Sequence, residues 1–147
     1  MNTILVGIDF SPVQGRALDA ATTLARAMDA ELILIHVASA EPDFVGYEPG
    51  PEVVRESVAH LLRDHHRQLQ DIESRLRSAG VRVRALMVQG GISDKIIEEA
   101  GKLNAGWIVL GSHGHGALRH ALLGSVTQAV IKHTPCPVII VPSPKSE

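Results

Sequence analysis

Two hydrophobic rhythms alternate along the chain. Runs rich in Val, Ile and Leu stand at 3–8 (TILVGI), 31–38 (ELILIHVA), 81–88 (VRVRALMV), 106–110 (GWIVL) and 137–141 (PVIIV). Four of them are almost unbroken, the pattern of strands covered on both faces. The run at 81–88 alternates instead, with Arg82 and Arg84 on one side, which places it near a sheet edge. Between the runs the period changes to that of a helix. Ser11-Pro12 reads as an N-cap followed by proline at the first helical position, after which Ala17, Ala21, Leu24 and Met28 share one face. After Pro51, Val54, Val58, Leu61, His65, Leu69, Ile72 and Leu76 form a longer stripe that Gly80 ends. A third helix is predicted over roughly 92–104 with Ile92, Ile96, Ala100 and Leu103 inward. A fourth runs from about 124 to His133 and stops at Pro135.

The resulting order, β-α-β-α-β-α-β-α-β, predicts an α/β fold: a five-stranded parallel sheet with helices on both faces. Right-handed crossovers leave few strand orders, and the natural one is 3-2-1-4-5. Its direction reverses between the first and fourth strands, and ligands of open α/β sheets lie at such a reversal, outside the strands' carboxyl ends. Asp9-Phe10-Ser11 follows the first strand and a glycine-rich stretch follows the fourth, so the two form the lips of one crevice. The irregular insertion 39–51 holds Phe44 and Tyr47. It reads either as a surface loop packed on the domain or as a flap over a ligand.

Composition narrows the classes. A chain of 147 residues with 45% apolar and 20% charged residues is expected to be one globular domain spanning 1–147, with a variable loop at 39–51 and a tail at 143–147. A net charge of −2 gives no general reason to bind nucleic acid. No apolar run is long enough for a bilayer, and MNTILVGIDF lacks the basic start of a leader, so a cytoplasmic protein is expected. The single cysteine, Cys136, excludes an internal disulfide and a multi-cysteine metal site.

The glycine-rich stretch LGSHGHGALRHALLGSVTQAVI, 110–131, carries the candidate chemistry. Gly111, Gly114 and Gly124 would let a ligand reach main-chain amides, and the helix opening at Gly124-Ser125 offers free N–H groups and a positive dipole end to an anion. Ser125 can cap that helix or bind phosphate, Thr127 lies one step further in, and Arg119 adds positive charge. Turn geometry alone also accounts for such glycines. No Gly-Lys-Ser/Thr follows them, and the pattern is not G-x-G-x-x-G. His113 and His115 could chelate a metal, yet no cysteine or carboxylate nearby completes a set, and adjacent His65 and His66 point about 100° apart on a helix. His36 reads as a buried, satisfied histidine. Ser112 or Ser125 with histidine and Asp9 gives the residue types of a triad but no nucleophile elbow.

The spacing Gly111-x2-Gly114-x9-Gly124-Ser125 resembles the signature of the ATP-binding branch of the universal stress protein family. ILVGIDFS, LILIHV, GWIVLGSHG and CPVIIVP resemble that family's first, second, fourth and fifth strands. The resemblance spans the chain apart from 39–51. It implies a dimer that binds ATP, ADP or AMP, possible Mg near Asp9, and a role in stress responses. Nucleotide contacts would fall on Gly7, Asp9, Phe10, Ser11, Val37, Leu110, Gly111, Ser112, His113, Gly114, His115, Arg119, Gly124, Ser125, Val126 and Thr127. Within that set Asp9 would meet adenosine and Val37 would offer its backbone to the adenine edge. Gly111 and Gly114 would border ribose and the first phosphates, and Gly124, Ser125 and Val126 would hold phosphates. Gly7 departs from a common proline, and a charged His115 would strengthen phosphate binding at lower pH.

Pro137 at the head of the last strand fits an edge, and an apolar edge needs a cover. Pairing of 137–141 with its copy supplies one; the alternative is a monomer shielded by Pro142 and Pro144. Three functions remain: a nucleotide-binding sensor with little turnover, a slow ATPase or adenylyl- or phosphoryl-transferring enzyme, and a ligand-free interaction module. Hydrolysis needs a positioned base or water-orienting group and usually a metal, and no second acidic residue stands in the motifs, so the first is expected.

Overall fold

Unbroken Val, Ile and Leu runs form the middle of the sheet because only there are both strand faces covered. The computed structural model describes residues 2–11, 13–38, 51–112 and 123–142, with the side chains of 51–58 set aside. In chain order the elements are β1 (Thr3–Gly7), α1 (Gln14–Met28), β2 (Glu31–Ala38), α2 (Pro51–Ser78), β3 (Val83–Gln89), α3 (Ile92–Lys102), β4 (Trp107–Gly111), α4 (Ser125–His133) and β5 (Val138–Val141). The five strands pair in parallel in the order β3-β2-β1-β4-β5. The expected fold and strand order are thus observed. The insertion with Phe44 and Tyr47, and the tail 143–147, lie outside the described residues.

Alternation along the strands divides the core into two layers. Ile4, Val6, Leu32, Leu34 and Val109 face α1 and α2. Leu5, Ile33, Ile35, Ile108 and Leu110 face α3 and α4. β1 lies between β2 and β4, so Ile4, Leu5 and Val6 are wholly buried.

Four expectations are corrected. The N-cap of α1 is Val13, with no side-chain cap, rather than Ser11; Pro12 lies outside the described residues. The reason is local: Asp9 Oδ1 accepts the Ser11 N–H at 2.9 Å, and Gln14 Oε1 reaches back to the Phe10 N–H. That turn holds residues 9–11 apart from the helix. Leu61, expected inside, is 53% exposed. A helix of 28 residues is about 42 Å long, against about 23 Å for the seven residues of β3, so the apolar stripe outruns the sheet. Ile92 is likewise exposed, at 43%, as the first residue of α3. β3 begins two residues late because Gly80, at φ +87°, turns the chain and the Val81 N–H bonds back to the Leu76 carbonyl.

Candidate functional site

The sheet opens where β1 ends. The last ladder bond on the β2 side runs from the Ile8 N–H to the Ile35 carbonyl, 2.8 Å. A further residue of ladder would bring the Val37 N–H to the Ile8 carbonyl. Instead His36 Nδ1 lies 2.7 Å from that carbonyl. A carbonyl only accepts, so Nδ1 carries the proton. In β2 the main-chain groups of 33, 35 and 37 face β1, since the even positions pair with β3. The Val37 N–H and carbonyl therefore point over the end of β1, which supplies them no partner.

His36 is itself buried, and its Nε2 lies 3.2 Å from Nδ1 of His65 on α2. The Phe10 ring packs on both imidazoles, with centroids 4.9 and 5.0 Å away. Phe10 reaches them from a left-handed backbone, φ +60°, an uncommon conformation for a bulky side chain. The expected buried, satisfied His36 is observed; its pairing with His65 was not legible, because 29 residues separate the two. Beside this cluster the Asp9 carboxylate is exposed, and the buried Ser11 hydroxyl has no hydrogen-bond partner among the described residues. An unpaired buried hydroxyl is costly, so Ser11 leaves one polar group at this end of the sheet without compensation among the described residues.

Gly7 has a steric reason. A Cβ there would lie 2.7 Å from Leu110 Cδ2, so the glycine makes room for Leu110 to pack across β1. Leu110 is buried against the α3–α4 layer, which leaves its backbone as the part nearest the crevice.

Across the order reversal, the end of β4 is clamped to the start of α4. The Ser112 N–H bonds to the Val141 carbonyl at 2.8 Å, the Gly124 N–H to the Ser112 carbonyl at 2.7 Å, and the Thr127 hydroxyl to the Gly111 carbonyl at 3.0 Å. Gly124 is the N-cap, and the first intrahelical bond is Gln128 N–H to its carbonyl. The amides of Ser125, Val126 and Thr127 have no partner inside the helix. They stand at the strand's carboxyl end, with the exposed Ser125 side chain alongside. Thr127, read as a phosphate neighbour, is buried and braces Gly111. Ser112 is buried and Val126 packs on the core. His113, Gly114, His115 and Arg119 lie outside the described residues.

The arrangement sets several main-chain and side-chain polar groups around the strand reversal. Free helix amides complement phosphate, the open Val37 backbone offers a donor and an acceptor side by side, and Asp9 and Ser11 offer polar groups between them. No group of three His, Cys, Asp or Glu able to hold a metal occurs among the described residues, and no described helix is long and apolar enough to cross a membrane.

Residues 1–142 match the model of the universal stress protein family. The chain is 34% identical over 145 residues to universal stress protein MJ0531 of Methanocaldococcus jannaschii, covering 98% of this chain and 84% of that protein. Among solved structures, that of protein MJ0577 superposes with a TM-score of 0.87 at 30% identity, over 99% of this chain and 98% of the other. A universal stress protein in complex with cAMP superposes with a TM-score of 0.71 at 25% identity, over 97% and 98%.

Proposed function

The chain belongs to the universal stress protein family, and from that premise we propose that it is an adenine-nucleotide-binding homodimer whose occupancy reports energy state or stress to partner proteins. The observation that carries the reading is the clamped junction of β4 and α4, which holds the amides of 125–127 open at the strand reversal. The β- and γ-phosphates of ATP, or the single phosphate of AMP, take those amides. The adenine edge pairs with the Val37 backbone, and Asp9 with Ser11 holds the ribose side. The cAMP complex of a relative supports an adenine nucleotide as the ligand class. One Asp9 oxygen already accepts the Ser11 N–H, so Mg, if carried, arrives with the phosphates and leans on the other.

The binder reading is preferred over an ATPase because, among the described residues, the crevice offers Asp9 as its one carboxylate and no water-orienting partner beside it. For the dimer, β5 turns the N–H and carbonyl groups of Val138 and Ile140 outward, since 137, 139 and 141 face β4. An apolar edge of this kind is covered by its symmetry copy. The cytoplasm, rich in nucleotide, is the compartment this function requires.

Calorimetric titration with ATP, ADP, AMP and cAMP tests the proposal, run beside a time course of ATP with Mg²⁺. Saturable binding of at least one adenine nucleotide, with less than about one turnover per minute, is expected. Failure of all four to saturate at millimolar concentration would return the chain to a ligand-free interaction module.

A further inference from the structure

We propose that the groove between α2 and the outer edge of β3 docks an extended acidic peptide as a sixth strand of the sheet. The register decides which groups are available. The Leu32 N–H bonds to the Arg82 carbonyl and the Gly90 N–H to the Ala38 carbonyl, so positions 82, 84, 86 and 88 face β2. Positions 83, 85, 87 and 89 turn their main-chain groups outward. The first part of that edge is closed by α2: Arg77 donates to the Val83 carbonyl at 3.0 Å, and Glu73 accepts the Ala85 N–H at 2.6 Å. Glu73 and Arg77 are themselves paired, 3.4 Å apart. Beyond this clasp, no described residue hydrogen-bonds the Ala85 carbonyl or the outward groups of Met87 and Gln89.

A cavity of about 680 Å³ lies along that unclasped stretch. Its floor is apolar, formed by Leu62 and Leu69 of α2 with Ala85 and Met87 of β3. Its rim carries Arg63, His66 and Arg67, with Gln70 and Gln89, and no acidic side chain. Asp64 partly offsets Arg67 at 3.6 Å, whereas Arg63 and His66 have no acidic partner among the described residues. From 85 to 89 the edge is about 13 Å long, enough to pair a strand of about five residues. A strand added there obtains main-chain bonds from β3, seats an apolar side chain between Leu62 and Met87, and sets acidic side chains against the arginines. A second copy of this chain is the poorer occupant, because two-fold pairing along this edge brings the basic rims together.

The probe is a blocked peptide of sequence Glu-Val-Glu-Val-Glu, with Lys-Val-Lys-Val-Lys as its opposite, titrated into the full chain labelled for amide NMR. The acidic peptide is expected to saturate and to slow exchange at the Met87 and Gln89 amides, with affinity at least about tenfold above the basic one. Met87→Pro removes an outward N–H and leaves the β2 ladder whole; it should weaken binding about tenfold. The double variant Arg63→Glu, Arg67→Glu changes only exposed side chains and should lose the preference for acid, which keeps the test decisive if the proline variant unfolds. Absence of saturation at millimolar peptide, equal binding of both peptides, or protection at Val138 and Ile140 instead would overturn the proposal. Protection at Met87 and Gln89 that rises with protein concentration in the absence of peptide would also overturn it, in favour of a second copy on this edge.

Discussion

The crevice at the ends of β1 and β4 and the groove beside β3 both leave main-chain groups outside the sheet's ladder, but they do so in opposite ways. In the crevice the opening is built inward. A buried imidazole takes the Ile8 carbonyl, a left-handed Phe10 locks that imidazole, and Thr127 holds Gly111 beneath the start of α4. At β3 the opening is what remains after Glu73 and Arg77 have covered half an exposed edge. The first is preorganised by core packing and suits a small rigid ligand. The second is lined by exposed charged side chains and suits a chain that supplies its own backbone partners.

The sharpest way to break the contrast is Gly124→Val. Gly124 sits at φ −69° and ψ 162°, an extended backbone open to any residue, so the fold should be retained. A branched side chain at the N-cap would stand over the amides of 125–127, and nucleotide affinity should fall by at least about a hundredfold, or about 2.7 kcal/mol. Binding of the acidic peptide at β3 should stay unchanged. Calorimetry with both ligands on one preparation checks this.

Next in size is His36→Leu. It leaves the Ile8 carbonyl buried without its donor and His65 without its partner, at a cost of about 1–3 kcal/mol in stability. Denaturant unfolding should show that loss. Nucleotide affinity should fall with it, because the end of β1 is no longer held clear of Val37. A comparable stability loss of about 1–3 kcal/mol is expected for Gly7→Ala, whose Cβ would press on Leu110. Its adenine affinity should change less than that of His36→Leu. The smallest effect is expected from Glu73→Gln. An amide can still accept the Ala85 N–H but gives up the ion pair with Arg77, which is about 61% exposed and so contributes at most about 1 kcal/mol.

The sheet was legible in the sequence because the Val, Ile and Leu runs carry their own burial pattern, and the crossovers then leave little choice of order. The alternation at 81–88 likewise announced an edge strand, now confirmed with Arg84 turned out to Glu31 at 3.0 Å. What the sequence hid depends on side chains that meet from distant elements. Periodicity made His65 one more member of an apolar stripe, whereas the structure pairs it with His36. Ser11 looked like a helix cap until the Asp9 carboxylate, two residues away, took its N–H. Leu61 kept the helical period with no sheet left beneath it. The Glu73–Arg77 clasp gives no pattern at all, being an ordinary i, i+4 pair until β3 is laid beside it.

The account stands on the claim that main-chain amides at the start of α4 and at Val37 hold an adenine nucleotide across the strand reversal. The direct measurement is an amide NMR titration of the full chain with ATP. Saturating shifts centred on Val37, Ser125, Val126 and Thr127, with Met87 and Gln89 unmoved, are the predicted result. Shifts that never saturate at millimolar ATP, or that centre on β3, would contradict it.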